Sequence, residues 1–302
     1  MIRREFLMAL GSAAIGTGTF RAKATLAMGT SELITLSDGH LVLPRRFALG
    51  DLPVEEALAE LARFDLDPDS LTPDCNATLL RTDERTVLFD AGAGTEFMAS
   101  AGRLPDSLAD IGVDPFDITD VVLTHAHPDH IWGVLDDFGD LMAPDATYHI
   151  GAAEMDHWTN PDLIERISPD RQSFVVGAAR RIAEMEAQLN RFGDGQEIVP
   201  GVMARATPGH TPGHMSFEVS ASGQEVMILG DCVGNHHLAM ARPEWPAAAD
   251  EDPETGIATR VALLDELASR EVLCVGFHMP APGLGRVERR AAGAYAFIAE
   301  DG

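Results

Sequence analysis

An α/β fold is expected for this chain of 302 residues, and two features of the sequence predict it. Short apolar runs of strand character alternate with stretches of helical period. Several of those runs also end abruptly in a histidine or an aspartate just before a loop, and strand ends are where α/β proteins place ligand-binding residues. The strand-like runs, in order, are Thr86–Phe89, Val121–Leu123, Gly201–Ala206, Glu225–Gly230 and Val272–Phe277. They are followed by Asp90, by His125 after Thr124, by His210 within Thr207-Pro208-Gly209-His210, by Asp231 and by His278. Helices are expected over Ser173–Asn190 and Thr255–Ser269, the second with Ile257, Val261, Leu264 and Ala268 on one face.

The densest signal is Thr124-His125-Ala126-His127-Pro128-Asp129-His130. Side chains alternate along an extended chain, so His125 and His127 point the same way. Pro128 ends regular pairing, and the turn it starts can aim Asp129 and His130 at an adjacent position. With His210, Asp231 and His278 the set comprises five imidazoles and two carboxylates. That is enough for two divalent metal ions if one carboxylate bridges, and the mixture suits zinc and related borderline metals.

This spaced set, with the Thr207–His214 stretch TPGHTPGH and Leu229-Gly230-Asp231, resembles the metallo-β-lactamase superfamily over roughly residues 35–300. Asp38-Gly39, the run Phe89–Gly94 (FDAGAG) and the ending His278–Gly285 (HMPAPGLG) look most like the methyl parathion hydrolase branch. Acyl-homoserine-lactone lactonases share the same ligands. The resemblance implies a four-layer αβ/βα sandwich with the metals at one edge. It places His125, His127 and His210 on the first metal, Asp129, His130 and His278 on the second, and Asp231 between them. A hydroxide bridging the metals would be the nucleophile, with Asp129 and Asp231 as the catalytic carboxylates and Asp129 also a proton acceptor for the leaving group. Phe97, Trp158 and Phe174 fall where that branch has pocket aromatics. Neither tyrosine, Tyr148 or Tyr295, follows His210 as the lactonases' substrate-side tyrosine does.

Residues 1–24 read as a twin-arginine export signal: Arg3-Arg4, a modestly apolar stretch, then Ala22-Lys23-Ala24. Residues 25–302 then form a single domain, periplasmic after passage through the twin-arginine machinery, with no stable membrane insertion; a homodimer stays open. With 22 basic against 48 acidic residues and a net charge of −26, the chain lacks the basic footprint that nucleic acid requires. Cys75, Cys232 and Cys274 cannot build a disulfide framework, and Cys274 is expected as a buried small hydrophobe.

The remaining polar residues divide by position. His214 is expected to support the ligands and not to be one. Asp90 either orients a ligand histidine or caps a turn. His236 and His237, after Asp231, could line the pocket mouth but are expected as solvated loop residues, and Asp136, Asp137 and Asp140 as a solvated face. The function that follows is hydrolysis of a small neutral ester, lactone or organophosphate triester. A thioesterase of glyoxalase II type, or a metal-binding protein that kept the fold without turnover, are the alternatives.

Overall fold

The computed structural model describes residues 24–300, so the expected export signal lies almost wholly outside the described residues. One sheet contains β1 (Thr25–Met28), β2 (Ser31–His40), β5 (Asp74–Arg81), β6 (Thr86–Phe89), β7 (Asp120–Val122), β8 (Thr147–Gly151) and β9 (Leu189–Phe192), in that spatial order. The pairings are antiparallel up to β6 and parallel from β6 to β9. The short strands β3 (Leu43–Pro44) and β4 (Ser70–Leu71) pair apart from it. The second sheet runs β10 (Glu197–Val199), β11 (Val202–Ala206), β12 (Met215–Ala221), β13 (Gln224–Ile228), β14 (Leu273–Val275), β15 (Leu284–Arg289) and β16 (Tyr295–Ala299). Only β13 and β14 are parallel there.

Side-chain alternation divides the core into layers. Leu33, Leu80, Phe89 and Val122 on the first sheet meet Val202, Phe217, Val226 and Ile228 on the second. The Phe89 and Phe217 rings lie 5.5 Å apart across the gap. Residues of opposite parity on the first sheet, such as Ile34, Leu79, Leu88 and Val121, pack with Leu104, Trp158, Val175 and Ile182. These come from α3 (Leu104–Asp110), α5 (Ala152–Trp158) and α7 (Gln172–Met185). Met227, Leu229 and Cys274 on the outer face of the second sheet pack with Leu263, Leu264 and Leu267 of α9 (Pro253–Arg270). The result is the expected four-layer αβ/βα sandwich. A satellite cluster, built on α1 (Arg45–Leu49), α2 (Val54–Ala62) and α8 (Leu238–Ala241), stands beside the site.

Two expected elements differ. The helix expected to reach Asn190 stops at Met185, because Leu189–Phe192 pairs with β8 as an edge strand. On α9 the buried residues are Gly256, Arg260, Leu263, Leu264 and Leu267, so of the four expected face residues only Leu264 is fully buried. The helix is rotated from its apolar pattern because Arg260, 1% exposed, is drawn inward by a salt bridge to Asp250 at 3.2 Å. The three cysteines are buried and unpaired. Among the described residues no helix is long and apolar enough to cross a membrane.

Candidate metal centre

All seven expected ligands converge at one edge of the sandwich. His125 and His127 follow β7 in extended conformation. Pro128 then occupies the first position of α4 (Pro128–Ile131), where its missing N–H costs nothing, and that turn carries Asp129 and His130. His210 lies in the loop from β11 to β12, Asp231 follows β13, and His278 follows β14. Gly230 adopts φ +56°, and a side chain there would collide with His214 and Thr124. That backbone turn is what delivers Asp231 to the centre.

The donors fall into two groups. His125, His127 and His210 form one, and Asp129, His130, Asp231 and His278 the other. In the first, His127 Nδ1 lies 3.1 Å from His125 Nε2 and 2.8 Å from His210 Nε2. A tetrahedral zinc holds nitrogens about 3.3 Å apart, so these three are already near the vertices of a metal site. In the second, Asp129 Oδ2 is 3.2 Å from His278 Nε2 and 3.6 Å from His130 Nε2. Asp231 reaches both groups. Its Oδ1 is 3.3 Å from His130 Nε2, and its Oδ2 is 3.2 Å from His278 Nε2 and 3.5 Å from His210 Nε2. His130 Nε2, Asp129 Oδ2 and Asp231 Oδ1 are sealed from solvent and make no hydrogen bond among the described residues. Buried polar atoms left this way are costly, and two bound cations would satisfy them. The donor set therefore fits a dinuclear metal site.

Except in His127, the outward nitrogens of the ligand histidines face partners, which favours one tautomer for each. His130 Nδ1 donates to Asp90 Oδ2 at 2.8 Å, and Asp90 also accepts from Thr124 N at 2.8 Å. Asp90 thus orients a ligand. His278 Nδ1 donates to the Asp74 carbonyl at 2.8 Å, and His210 Nδ1 faces Asp250 Oδ1 at 3.3 Å. His125 Nδ1 lies 3.0 Å from the Thr124 hydroxyl. The outward Nε2 of His127 is 3.9 Å from Glu251, beyond hydrogen-bond reach. His214 supports Asp231: its Nε2 accepts the Asp231 N–H at 2.9 Å, so its Nδ1 carries the proton and donates to Thr207 Oγ1 at 2.8 Å. Burial pushes His214 down to about 3, keeping it neutral in that role.

Glu154 and Asp250 support the site without a signal in the sequence. Glu154, fully buried, accepts from Ala126 N (2.9 Å), Trp158 Nε1 (2.7 Å), Thr211 Oγ1 (2.6 Å) and Gly213 N (3.1 Å). One carboxylate thereby ties the His125–His127 segment to the His210 loop. Asp250, held by Arg260, backs His210. Asp38 accepts from the backbone of Ala93 at 2.8 Å and Leu104 at 2.7 Å, and burial raises its carboxyl to about 6.

The centre opens on a cavity of about 340 Å³ with walls that include Leu43, Phe47, Leu71, Phe97, Phe174 and Trp245. Phe97 and Phe174 stand where expected. Trp158 does not: it is wholly buried behind His127, ring centroids 5.6 Å apart, and takes no part in the wall. Its indole N–H is drawn inward by Glu154. His237, expected in solvent, is buried and lines the cavity. Cys232 adjoins Asp231 but bonds to the Leu229 carbonyl and stays outside both ligand groups.

Before a metal binds, protons would balance the charge of the centre. Burial alone would lower His130, but the carboxylates of Asp231, Asp90 and Asp129 outweigh it and raise it to about 10. His278 is raised well above its ordinary value: burial opposes this, and Asp231 and Asp129 overcome it. A metal needs both rings neutral. Loading the metal-free protein near pH 7.5 is therefore expected to release protons, and affinity should climb with pH up to about 10. The sign for folding is opposite. The raised His130 stabilises the metal-free chain fully below 6.5, and that contribution is lost as pH rises through about 10. Calorimetric titration of metal in buffers of different ionisation enthalpy counts the protons, and zero release at neutral pH would contradict the assignment.

The sequence profile of the metallo-beta-lactamase superfamily matches residues 72–276. Among curated proteins, a probable metallo-hydrolase of Mycobacterium tuberculosis is 28% identical over 186 residues, covering 52% of this chain and 56% of its own length. The N-acyl homoserine lactonase AiiB of Agrobacterium fabrum is 26% identical over 43% of this chain and 56% of its own. The chain thus spans little more than half the length of these relatives. Among solved structures, the dizinc quorum-quenching lactonase AidC superposes with a TM-score of 0.87 at 26% identity, covering 92% of this chain and 97% of that one. The hydrolase AbOPH of the beta lactamase superfamily gives 0.85, with the same identity and coverage. With the superfamily profile covering well over half of its length, and its donors and layers in this arrangement, the chain belongs to the metallo-β-lactamase superfamily.

Proposed function

We propose that this chain is a dinuclear metal-dependent hydrolase acting on a small neutral ester, lactone or organophosphate triester, with zinc as the metal. The observation that carries this is what surrounds the donor set. Much of the wall of the cavity above it is apolar, and among the described residues no serine, threonine, cysteine, tyrosine or lysine lines it. The thiols of Cys75 and Cys232 are pushed up to about 12 by burial. Among the described residues the cavity offers no hydroxyl, thiol or amine, and the carboxylates at its floor, Asp129 and Asp231, belong to the donor set, which supports water as the nucleophile. Two bound divalent ions supply Lewis acidity and an activated water in such a site.

The chain's own residues do the rest. Phe97 and Phe174 hold the apolar part of the substrate and exclude bulk water. Asp129, with Oδ2 unpartnered at the cavity floor, is placed to carry a proton to the leaving oxygen. Asp90, Asp250 and Asp74 hold the ligand rings in register. The acidic chain disfavours anionic thioesters at long range. Turnover of a panel of esters, lactones, thioesters, phosphotriesters and β-lactams by the metal-loaded protein tests the substrate class. Hydrolysis of an ester in ¹⁸O-water, with enzyme in excess, is expected to label the acid in the first turnover. Unlabelled acid would mean that an aspartate carboxylate, through an acyl anhydride, supplied the oxygen in place of water, and would sink this mechanism.

The proposal extends to location. Arg3-Arg4 and the Ala22–Ala24 site support export by the twin-arginine route, with the mature chain beginning near Thr25. Changing both arginines to lysine should leave the precursor in the cytoplasm, as cell fractionation would show; unchanged export would refute the route.

A further inference from the structure

We infer that Glu251 is the positioning residue of His127. Its carboxylate takes the Nε2 hydrogen of His127 on one oxygen and that of His157 on the other. The adjacent residues Asp250 and Glu251 then hold two of the three rings of the first donor group from outside. This role rests on the dinuclear metal reading of the donor set.

Behind the centre, His127 Nε2, Glu251 Oε1 and His157 Nε2 are sealed from solvent, and none makes a hydrogen bond among the described residues. They lie together. Glu251 Oε1 is 3.9 Å from His127 Nε2, and Glu251 Oε2 is 2.9 Å from His157 Nε2. Three such atoms left unsatisfied are costly, and their chemistry matches. His127 turns Nδ1 toward His125 and His210, so a ring that binds metal there carries its hydrogen on Nε2. His157, on α5, has an N–H of its own to place. Two N–H donors thus face the two oxygens of one carboxylate. The His127 ring also meets Trp158 and Phe174 edge-on, at 5.6 and 5.9 Å between centroids, and neither side chain offers it an acceptor oxygen.

The backbone around Glu251 is fixed. Its N–H donates to the His210 carbonyl at 3.1 Å, and that of Asp252 donates to the Gly209 carbonyl at 3.0 Å. Arg171 holds the Ala248 and Ala249 carbonyls at 2.8 and 3.2 Å. Asp250 faces His210 Nδ1 at 3.3 Å. The side chain is what is left to move. The last torsion of a glutamate is soft, and a turn that carries Oε1 about 1 Å toward His127 closes the hydrogen bond.

Cobalt(II), exchanged into the full chain, is the probe. Each ligand ring then gives a shifted, exchangeable N–H proton signal. Three come from the first donor group and two from the second, so the two groups are told apart by count. Glu251→Ala should weaken cobalt at the first group about tenfold to a hundredfold in competition with a chelator, with the second group unchanged. One of the three first-group signals should exchange faster with water. Glu251→Gln keeps an acceptor oxygen for His127 and should recover most of the loss. His157→Phe removes only the second anchor of the carboxylate, so a smaller fall at the same group is expected. Wild-type affinity at the first group in Glu251→Ala would overturn the positioning role, as would an equal loss at both groups. If Glu251→Ala does not fold, wild-type affinity in His157→Phe would overturn it instead. A wild type that holds no cobalt at either group would overturn the metal centre itself, and this role with it.

Discussion

Asp231→Ala is expected to lose bound metal and to lower kcat/KM by more than about a thousandfold. Asp231 is the carboxylate that touches both donor groups, at 3.3 Å from His130, 3.2 Å from His278 and 3.5 Å from His210. Its removal leaves buried rings facing one another with no shared acceptor. Loss of one partner from a buried charged set costs about 3–5 kcal/mol, and about 4 kcal/mol at the transition state is already a thousandfold. The backbone that delivers the residue is not disturbed, because Gly230 sets the turn and His214 holds the Asp231 N–H. Metal analysis after dialysis should therefore give fewer than two ions per chain while the melting curve stays cooperative. A variant retaining two metals and wild-type turnover would remove Asp231 from the centre.

The seven donors were legible in the sequence because His125 to His130 share one short segment after an apolar run, and because His210, Asp231 and His278 each come soon after another such run. Local geometry sufficed for them. Of the groups that hold the donors in place, His214 and Asp90 could be singled out in the sequence; the others were not legible, for a physical reason. Glu154, Asp250 and Asp74 are single acidic residues among 48, and each contacts its ligand loop across long sequence separation. Glu154 meets Thr211 from 57 residues away, and His278 meets the Asp74 carbonyl from 204. No spacing encodes such a contact. The same limit misplaced the α9 face, since Arg260 reads as a solvated residue until Asp250 is seen beside it. It also put His237 in solvent, because burial of that loop depends on α2 and α8 packing against each other.

Trp158 makes the clearest remaining test, because its sequence position and its place in the fold lead to opposite outcomes. A ring on the cavity wall would mainly affect KM when truncated. The ring found here is sealed in the core, donates to Glu154 at 2.7 Å and backs His127 at 5.6 Å. Trp158→Ala is therefore expected to cost about 3–5 kcal/mol from the cavity it opens, which lowers the melting temperature on the order of 10 °C for a domain of this size. Glu154 would lose one of its donors in a site where burial already raises its carboxyl, so the hold on the His125–His127 segment should loosen and metal at that group should leave first. Trp158→Phe keeps most of the volume and removes only the N–H, so it should cost about 1–2 kcal/mol. Phe97→Ala and Phe174→Ala, on the wall itself, should raise KM for apolar substrates with metal content retained. A Trp158→Ala protein that melts like wild type, keeps both metals and differs only in KM would return that ring to the cavity wall.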